Sequence, residues 1–263
     1  MRTAVRHRAG LSAEGRAGGC LAGAFTTSRA SRPSRAGSRH VRRFLSCLAV
    51  LLMSAMSSAH ALPEGFVYLS EVAPAVAIDA RYAGSDNFVG QPVEGYHANT
   101  VILTRPAAEA LARVSEELAA FGLGLKVFDG YRPQRAVNHF VRWAGDSADQ
   151  STKAQYYPDV DKNQLFEKGY IAKRSGHTRG STVDLTIIDL KDGRELDMGT
   201  PFDYFGPESW PSYLDLSPEQ RAHRALLQQV MSKHGFRPLS TEWWHFTLAN
   251  EPYPETYFDF PVE

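Results

Sequence analysis

Hydrophobic and polar residues alternate in several short runs between residues 66 and 248, and this period of two predicts β-strands. The clearest run is 183–188, where Val183, Leu185 and Ile187 fall on one face. Asp184 and Thr186 fall on the other, so we expect the Asp184 carboxylate on a polar face of the sheet. Three further strands are predicted at residues 77–82, 125–128 and 242–248.

Three segments show the helical period, with apolar residues three or four positions apart. Residues 106–122 begin with proline and end with glycine, the usual asymmetry of a helix. The predicted buried face of this helix comprises Leu111, Val114, Leu118 and Phe121. A second helix is predicted at 133–143. A third is predicted at 217–234, because Ser217, a proline and Gln220 form a helix-start signal.

The segments between these elements are polar and lack a regular period. Residues 146–174 and 197–216 are predicted to be mostly loop, and the tail from Glu251 is expected to pack across the surface. The resulting order is strand, helix, strand, helix, long loop, strand, helix, strand. Short strands with alternating faces predict an α+β domain with a small, mainly antiparallel sheet and flanking helices.

Charge divides the chain of 263 residues into two unlike parts, although its formal net charge is zero. Residues 1–61 contain ten arginines and one acidic residue, Glu14. The remaining 202 residues carry 19 basic and 28 acidic side chains, a formal net charge of −9. An acidic body behind a basic leader is not typical of a nucleic-acid-binding protein.

The leader has the order of features of a secretory signal peptide. Two arginines at 42–43 precede an apolar run at 44–56, and Ala59-His60-Ala61 matches a cleavage site. Cys47 lies at the start of this run, which disfavours a lipoprotein, and the arginine pair faintly resembles a twin-arginine signal. We therefore predict a signal peptide at 41–61, a catalytic domain at 62–263 without a membrane span, and a periplasmic or secreted location.

Residues 1–40 are rich in Arg, Ser, Gly and Ala and contain few large apolar side chains. They are predicted to be either a disordered leader or an upstream extension that is not translated, with the true start near Val41. Both cysteines, Cys20 and Cys47, lie before residue 62. Any zinc site in the domain must therefore use histidines and carboxylates.

Two of the six histidines in residues 62–263 stand beside carboxylates at informative spacings. His177 lies between two glycines that permit a tight turn, and Asp184 follows seven residues later at the start of a strand. The alternative is a turn followed by an aspartate that caps the strand. His97, His139, His223 and His234 lack such a partner and are expected to be structural or surface residues.

Glu242 and His245 are separated by three positions and flank two tryptophans. In an ideal strand these positions point to opposite faces, so both can serve one site only if the backbone turns or bulges at Glu242. The alternative is an aromatic core strand with a salt bridge. Two imidazoles and two carboxylates match a zinc hydrolase with three ligands and one general base.

The run Asp129-Gly130-Tyr131-Arg132-Pro133 supplies a cation at the end of a strand. Proline restricts the residue before it, so Arg132 is expected in an extended conformation. A guanidinium fixed in this way can bind a carboxylate or a developing oxyanion.

Four motifs in this order together resemble the D-alanyl-D-alanine dipeptidase family, the VanX-type zinc dipeptidases. They are Asp129 to Pro133, Ser175 to Thr186, Met198-Gly199 with Phe202-Asp203, and Glu242 to Phe246. The resemblance implies that His177, Asp184 and His245 bind one Zn²⁺ per chain, that Glu242 is the general base and that Arg132 stabilises the tetrahedral intermediate. It also implies a pocket for a free dipeptide shaped by Ser175, Asp203, Tyr82 and Tyr96, in a fold like that of zinc D,D-carboxypeptidases.

Two other functions fit the same residues. A peptidoglycan D,D-carboxypeptidase or endopeptidase would share the His-Asp and Glu-His pieces, although the complete 242–245 and 129–133 runs favour the dipeptidase. A zinc-binding scaffold without turnover is the other alternative. The presence of Glu242 disfavours it, since a structural zinc site does not need a base.

Overall fold

The computed structural model describes residues 61–263. The predicted extension at 1–40, almost all of the predicted signal peptide at 41–61, and both cysteines lie outside the described residues. In the described chain, no helix has the length and apolar character needed to cross a bilayer.

Seven strands and five α-helices make up the described chain. The strands are β1 (Phe66–Tyr68), β2 (Ala77–Ile78), β3 (Ile102–Thr104), β4 (Leu123–Asp129), β5 (Thr182–Asp189), β6 (Phe236–Leu239) and β7 (Glu242–Leu248). The helices are α1 (Leu69–Val72), α2 (Arg105–Ala119), α3 (Gln134–Gly145), α4 (Lys153–Tyr156) and α5 (Pro218–Lys233). The predicted α+β class is confirmed.

Five strands form the main sheet, in the order β2-β4-β5-β7-β6. Only β2 and β4 pair in parallel; the other three pairs are antiparallel, as predicted. Strands β1 and β3 form a separate, two-stranded antiparallel sheet. Strand β5 lies at the centre and is buried on both faces, because its polar face supports the candidate site and does not meet solvent.

The helix signals in the sequence are borne out at both ends of α5. The Ser217 hydroxyl accepts a hydrogen bond from the Gln220 amide at 3.1 Å, and the Gln220 side chain accepts one from the Ser217 amide at 2.9 Å. This capping box satisfies two backbone donors that a helix otherwise leaves unpaired. Gly235 follows the last turn with φ +92°, a conformation that glycine adopts at low cost.

Two sequence predictions were wrong in detail, and a third was incomplete. Phe121 was placed on the buried face of α2, but the helix ends at Ala119 and Phe121 is 75% exposed. The predicted strand 77–82 is only two residues long and gives way to a 3₁₀ turn at Arg81–Ala83. Residues 146–174 are mostly loop, as predicted, but they contribute to the core through Tyr156, Tyr157, Val160, Leu165 and Ile171.

The tail is anchored over the domain as predicted. Val262 is buried and pairs with Tyr96 in an isolated parallel bridge. Phe260 stacks on Tyr131 with ring centroids 4.0 Å apart, and the Tyr131 hydroxyl hydrogen-bonds to the backbone of Phe260. The tail thereby holds the segment that carries Arg132.

Candidate metal centre and cavity

Three neighbouring elements bring the candidate ligands together. Asp184 on β5 and His245 on β7 are direct cross-strand partners in the antiparallel pair. His177 lies on a 3₁₀ turn, Gly176–Arg179, just before β5. The Ser175 hydroxyl accepts a hydrogen bond from the His177 amide at 3.3 Å, and Gly180, with φ +83°, ends the turn. A side chain at Gly180 would collide with the ring of Phe66, so only glycine permits this close approach.

The ligand atoms converge on one point. His177 Nε2 lies 3.2 Å from Asp184 Oδ2 and 3.3 Å from His245 Nδ1, and His245 Nδ1 lies 3.1 Å from Asp184 Oδ1. One donor atom from each residue falls within 4.8 Å of the other two. Among the described residues this is the one such cluster of three or more His, Cys, Asp or Glu side chains.

The hydrogen bonds around these residues leave their ligand atoms available. His177 Nδ1 is 2.8 Å from the Gly130 carbonyl and donates to it, so Nε2 carries the lone pair. Asp184 Oδ1 is buried and accepts no hydrogen bond within the described chain. Two imidazole nitrogens and a carboxylate, without cysteine, are a donor set that suits a catalytic zinc site. The residues therefore fit a metal ion.

The charges in the cluster are strongly coupled. Burial raises the pKa of Asp184, but the neighbouring His177 and His245 outweigh it, and the net pKa lies well below its usual value. Burial lowers the pKa of His245, but Asp184 and Glu242 more than offset this and raise it to about 9. A metal ion that binds here would compete with a proton for His245.

Glu242 reaches the cluster through the backbone irregularity that its spacing requires. It is the first residue of β7, where the pairing with β6 shifts register between Pro238 and Leu239. Its Oε2 atom lies 3.4 Å from His245 Nδ1. The side chain is 16% exposed, so it faces a space that water can reach. This placement suits a proton acceptor beside the metal centre.

Arg132 is fixed by carboxylates and aromatic rings. Its guanidinium lies 2.9 Å from Asp129 Oδ2 and 3.5 Å from Asp184 Oδ2, and it covers the rings of Tyr82 and Phe140 at 5.1 Å each. Burial lowers the pKa of Arg132, but the surrounding groups hold it well above its usual value, so the group stays cationic. Arg132 can thus face a developing negative charge.

Asp203 presents a buried carboxylate from the long loop before α5. It is the one non-glycine residue with a positive φ, +63°, in the described chain. The Tyr82 hydroxyl donates to its two oxygens at 3.0 and 3.2 Å. Burial, together with the negative charge of Asp184, raises the pKa of Asp203 well above its usual value. A cation beside this carboxylate would stabilise its ionised form.

A cavity of about 240 Å³ joins these groups. Eight of the nine predicted site residues line it: Arg132, His177, Asp184, Glu242, His245, Tyr82, Ser175 and Asp203. Tyr96 does not line the cavity. Its hydroxyl lies one layer behind, where it donates to Asp129 at 2.6 Å. Tyr96 therefore contacts the carboxylate that holds Arg132.

Sequence reasoning missed two polar residues at this site. Asp129 lies in one of the four sequence motifs, where the sequence predicts no role for it, yet it is buried and bonds both Arg132 and Tyr96. Arg174 lines the cavity and directly precedes the Ser-Gly-His motif. The available signal was a charged residue within the Arg132 motif in one case and directly before the His177 motif in the other.

Comparison with known proteins identifies a matching family. A family model described as D-Ala-D-Ala dipeptidase matches residues 63–263. The D-alanyl-D-alanine dipeptidase of Enterococcus faecium is 43% identical over 199 residues, covering 76% of this chain and 98% of that protein. The protein of the same name from Streptomyces coelicolor is 44% identical over 197 residues, covering 75% and 98%.

A third protein of that name, from Escherichia coli, is 32% identical over 69% of this chain and 83% of its own. Among solved structures, a vancomycin-resistance D,D-pentapeptidase, VanY, in complex with Zn(II) matches with a TM-score of 0.36 and 15% identity. That match covers 58% of this chain and 76% of the VanY chain.

Proposed function

This chain belongs to the D-Ala-D-Ala dipeptidase family of metallopeptidases, and from that premise we propose that it hydrolyses D-Ala-D-Ala to two D-alanines with one zinc ion and Glu242 as general base. The observation that carries the proposal is the convergence of His177, Asp184 and His245 on one point, with Glu242 beside it at the cavity wall.

His177, Asp184 and His245 would hold the metal. A bound Zn²⁺ supplies Lewis acidity, which lowers the pKa of a water molecule and polarises a carbonyl group. The Gly130 carbonyl fixes the tautomer and orientation of His177, and the cross-strand pairing fixes His245 against Asp184. The protein thus positions its ligands from strands and a glycine-bounded turn.

Glu242 is placed to move the proton. Its carboxylate takes a proton from the attacking water and then delivers it to the nitrogen of the leaving D-alanine. Arg132 stabilises the negative charge that develops on the carbonyl oxygen, because its guanidinium is preorganised by Asp129 and two aromatic rings. The stabilising cation needs no reorganisation during the reaction.

Asp203 is proposed to bind the substrate ammonium. The carboxylate is buried with one hydroxyl partner, Tyr82. Burial and the negative charge of Asp184 disfavour its ionised form more than the nearby Arg132 favours it. An ammonium group would compensate that charge. The cavity is also smaller than the usual range of about 300–1,000 Å³ for drug-sized ligands, which favours a small substrate over a stem peptide.

The test compares two substrates. We expect the zinc-loaded protein to release D-alanine from free D-Ala-D-Ala and to leave a stem pentapeptide ending in D-Ala-D-Ala largely intact. Efficient cleavage of the pentapeptide with little dipeptide turnover would establish a D,D-carboxypeptidase. Turnover of neither substrate by zinc-loaded protein would indicate a binding scaffold.

We also propose that the domain is exported and acts on dipeptides released from the cell wall. The support is the leader sequence alone, with its charged, apolar and small-residue regions in order. Recovery of the protein in the periplasm or medium, beginning near residue 62, is the expected result of fractionation and N-terminal sequencing. Recovery mainly in the cytoplasm with residues 41–61 attached would contradict it.

A further inference from the structure

The proposed dipeptide substrate has a carboxylate as well as an ammonium, and the acidic side chains that line the cavity would repel this carboxylate. Asp184, Asp203 and Glu242 all line it. A free carboxylate that enters such a space requires a cation or several hydrogen-bond donors close to it. The lining contains two guanidinium groups, those of Arg132 and Arg174.

Arg132 already forms ion pairs within the protein. It bonds Asp129 and Asp184 and is only 13% exposed, so its charge is balanced within the protein. Moving it onto a substrate carboxylate would leave Asp129 buried without its cationic partner, which is costly. Arg132 therefore keeps its position, from which we propose that it stabilises the developing oxyanion, and the C-terminal carboxylate requires a second cation.

Arg174 lines the cavity beside Ser175 and has a guanidinium that is available to a ligand. Its side chain is exposed, and no carboxylate of the described residues forms an ion pair with it. The guanidinium lies over the ring of Tyr257 at 5.0 Å, a contact that orients the group and leaves its N–H donors available. Ser175, the next residue, also lines the cavity, and the segment continues directly into His177.

A second arginine, Arg179, also contacts the ring of Tyr257. Arg179 lies 5.9 Å from the same ring, and it is fixed by two bonds of 2.8 Å to Glu251. Arg179 is thus neutralised and Arg174 is not, although both contact one ring. Of the two arginines that contact the ring of Tyr257, Arg174 therefore has the guanidinium that is available to a substrate, and it lines the cavity.

We propose that Arg174, oriented by Tyr257, binds the substrate's C-terminal carboxylate and so restricts the enzyme to dipeptides with a free C-terminus. The inference rests on the proposed dipeptidase function. A guanidinium presents two parallel donors that match a carboxylate. Because the contact lies away from the reacting carbonyl, it acts equally on the ground state and the transition state and affects KM more than kcat.

The experiment compares D-Ala-D-Ala with D-alanyl-D-alaninamide, which lacks the carboxylate, on zinc-loaded protein. We expect the unmodified protein to prefer the acid by roughly tenfold to a hundredfold in kcat/KM, the range for a hydrogen bond to a charged group. Arg174→Gln should bring this preference close to one by raising KM for the acid. Arg174→Lys should keep part of it.

Three further variants separate recognition from structure. Arg113→Gln, an exposed arginine on α2 outside the cavity lining, should leave the preference unchanged. Tyr257→Phe keeps the ring and should behave like the unmodified protein. Tyr257→Leu should reduce the preference by about twofold to fivefold, as expected for an exposed cation–π contact.

Three results would overturn the proposal. One is an acid-to-amide preference that survives Arg174→Gln. Another is an equal loss on both substrates with a falling kcat, which would mean that Arg174 only orders the turn of His177. A third is an unmodified protein without a preference for the acid. In each case the dipeptide is still hydrolysed, whereas failure of the proposed function would appear as no dipeptide turnover at all.

Discussion

Asp203→Asn replaces the carboxyl group that we assign to the substrate ammonium with a neutral amide of nearly the same shape. Asparagine adopts positive φ more readily than most residues, so the backbone at +63° tolerates it. The Tyr82 hydroxyl, 3.0 Å away, can still donate to the side-chain oxygen. The variant therefore isolates the charge that we assign to the substrate ammonium.

The magnitude follows from the burial of the carboxylate. Asp203 is 5% exposed, so solvent does little to screen its contact with an ammonium. A hydrogen bond to a charged group contributes about 1.5–3 kcal/mol, which corresponds to roughly tenfold to 150-fold in kcat/KM. We expect Asp203→Asn to lower kcat/KM for D-Ala-D-Ala by this factor.

N-acetyl-D-Ala-D-Ala provides the matching substrate, since it has no ammonium. The unmodified protein should prefer the free dipeptide by at least roughly tenfold to a hundredfold in kcat/KM, and Asp203→Asn should erase most of that preference. D-alanine release from both substrates is the assay. Asp215→Asn, an exposed aspartate outside the cavity lining, is the control.

Two outcomes would refute this reasoning. Equal losses on both substrates would mean that Asp203 only supports the fold of its loop. Comparable kcat/KM values of the unmodified protein on the two substrates would indicate an open cleft that recognises only the C-terminal residue, as in a carboxypeptidase.

Four further variants and one control test the ligands, the base and the turn. His177→Ala or His245→Ala should lose zinc and activity together, and stoichiometric zinc in either variant, measured by metal analysis, would contradict the ligand assignment. Glu242→Ala should keep its zinc and lose roughly a hundredfold to ten-thousandfold in kcat; near-normal turnover would exclude it as the base. Gly180→Ala should destabilise the domain by ~1–3 kcal/mol in urea unfolding, because of its φ of +83° and the crowded Cβ position. Gly145→Ala has open space and should have a much smaller effect; equal losses would refute the argument from backbone strain.

Local patterns in the sequence predicted much of the site. The alternation along β5 placed Asp184 on a polar face, and the structure puts it opposite His245 on the next strand. The three-residue spacing of Glu242 and His245 required an irregular backbone, and the register shift between β6 and β7 provides it. Both inferences worked because they depend on the geometry of a single strand.

Contacts between distant segments were not predictable in the same way. Asp129, Arg132 and Tyr96 form one network, but Tyr96 lies 33 residues before Asp129 and no periodic signal links them. Strand β6 was missed because it contains Pro238, which argues against a central strand and is tolerated here at the edge of the sheet. The contact of Arg174 with Tyr257 joins segments 83 residues apart and likewise leaves no local pattern.

We propose that D-Ala-D-Ala hydrolysis requires a single zinc ion held by His177, Asp184 and His245. The direct measurement is metal analysis of the purified protein combined with D-alanine release before chelation, after chelation and after zinc is restored. We predict one zinc per chain, loss of activity on chelation and its recovery with stoichiometric zinc. Full activity in metal-free protein, or zinc-loaded protein that leaves D-Ala-D-Ala intact, would contradict the claim.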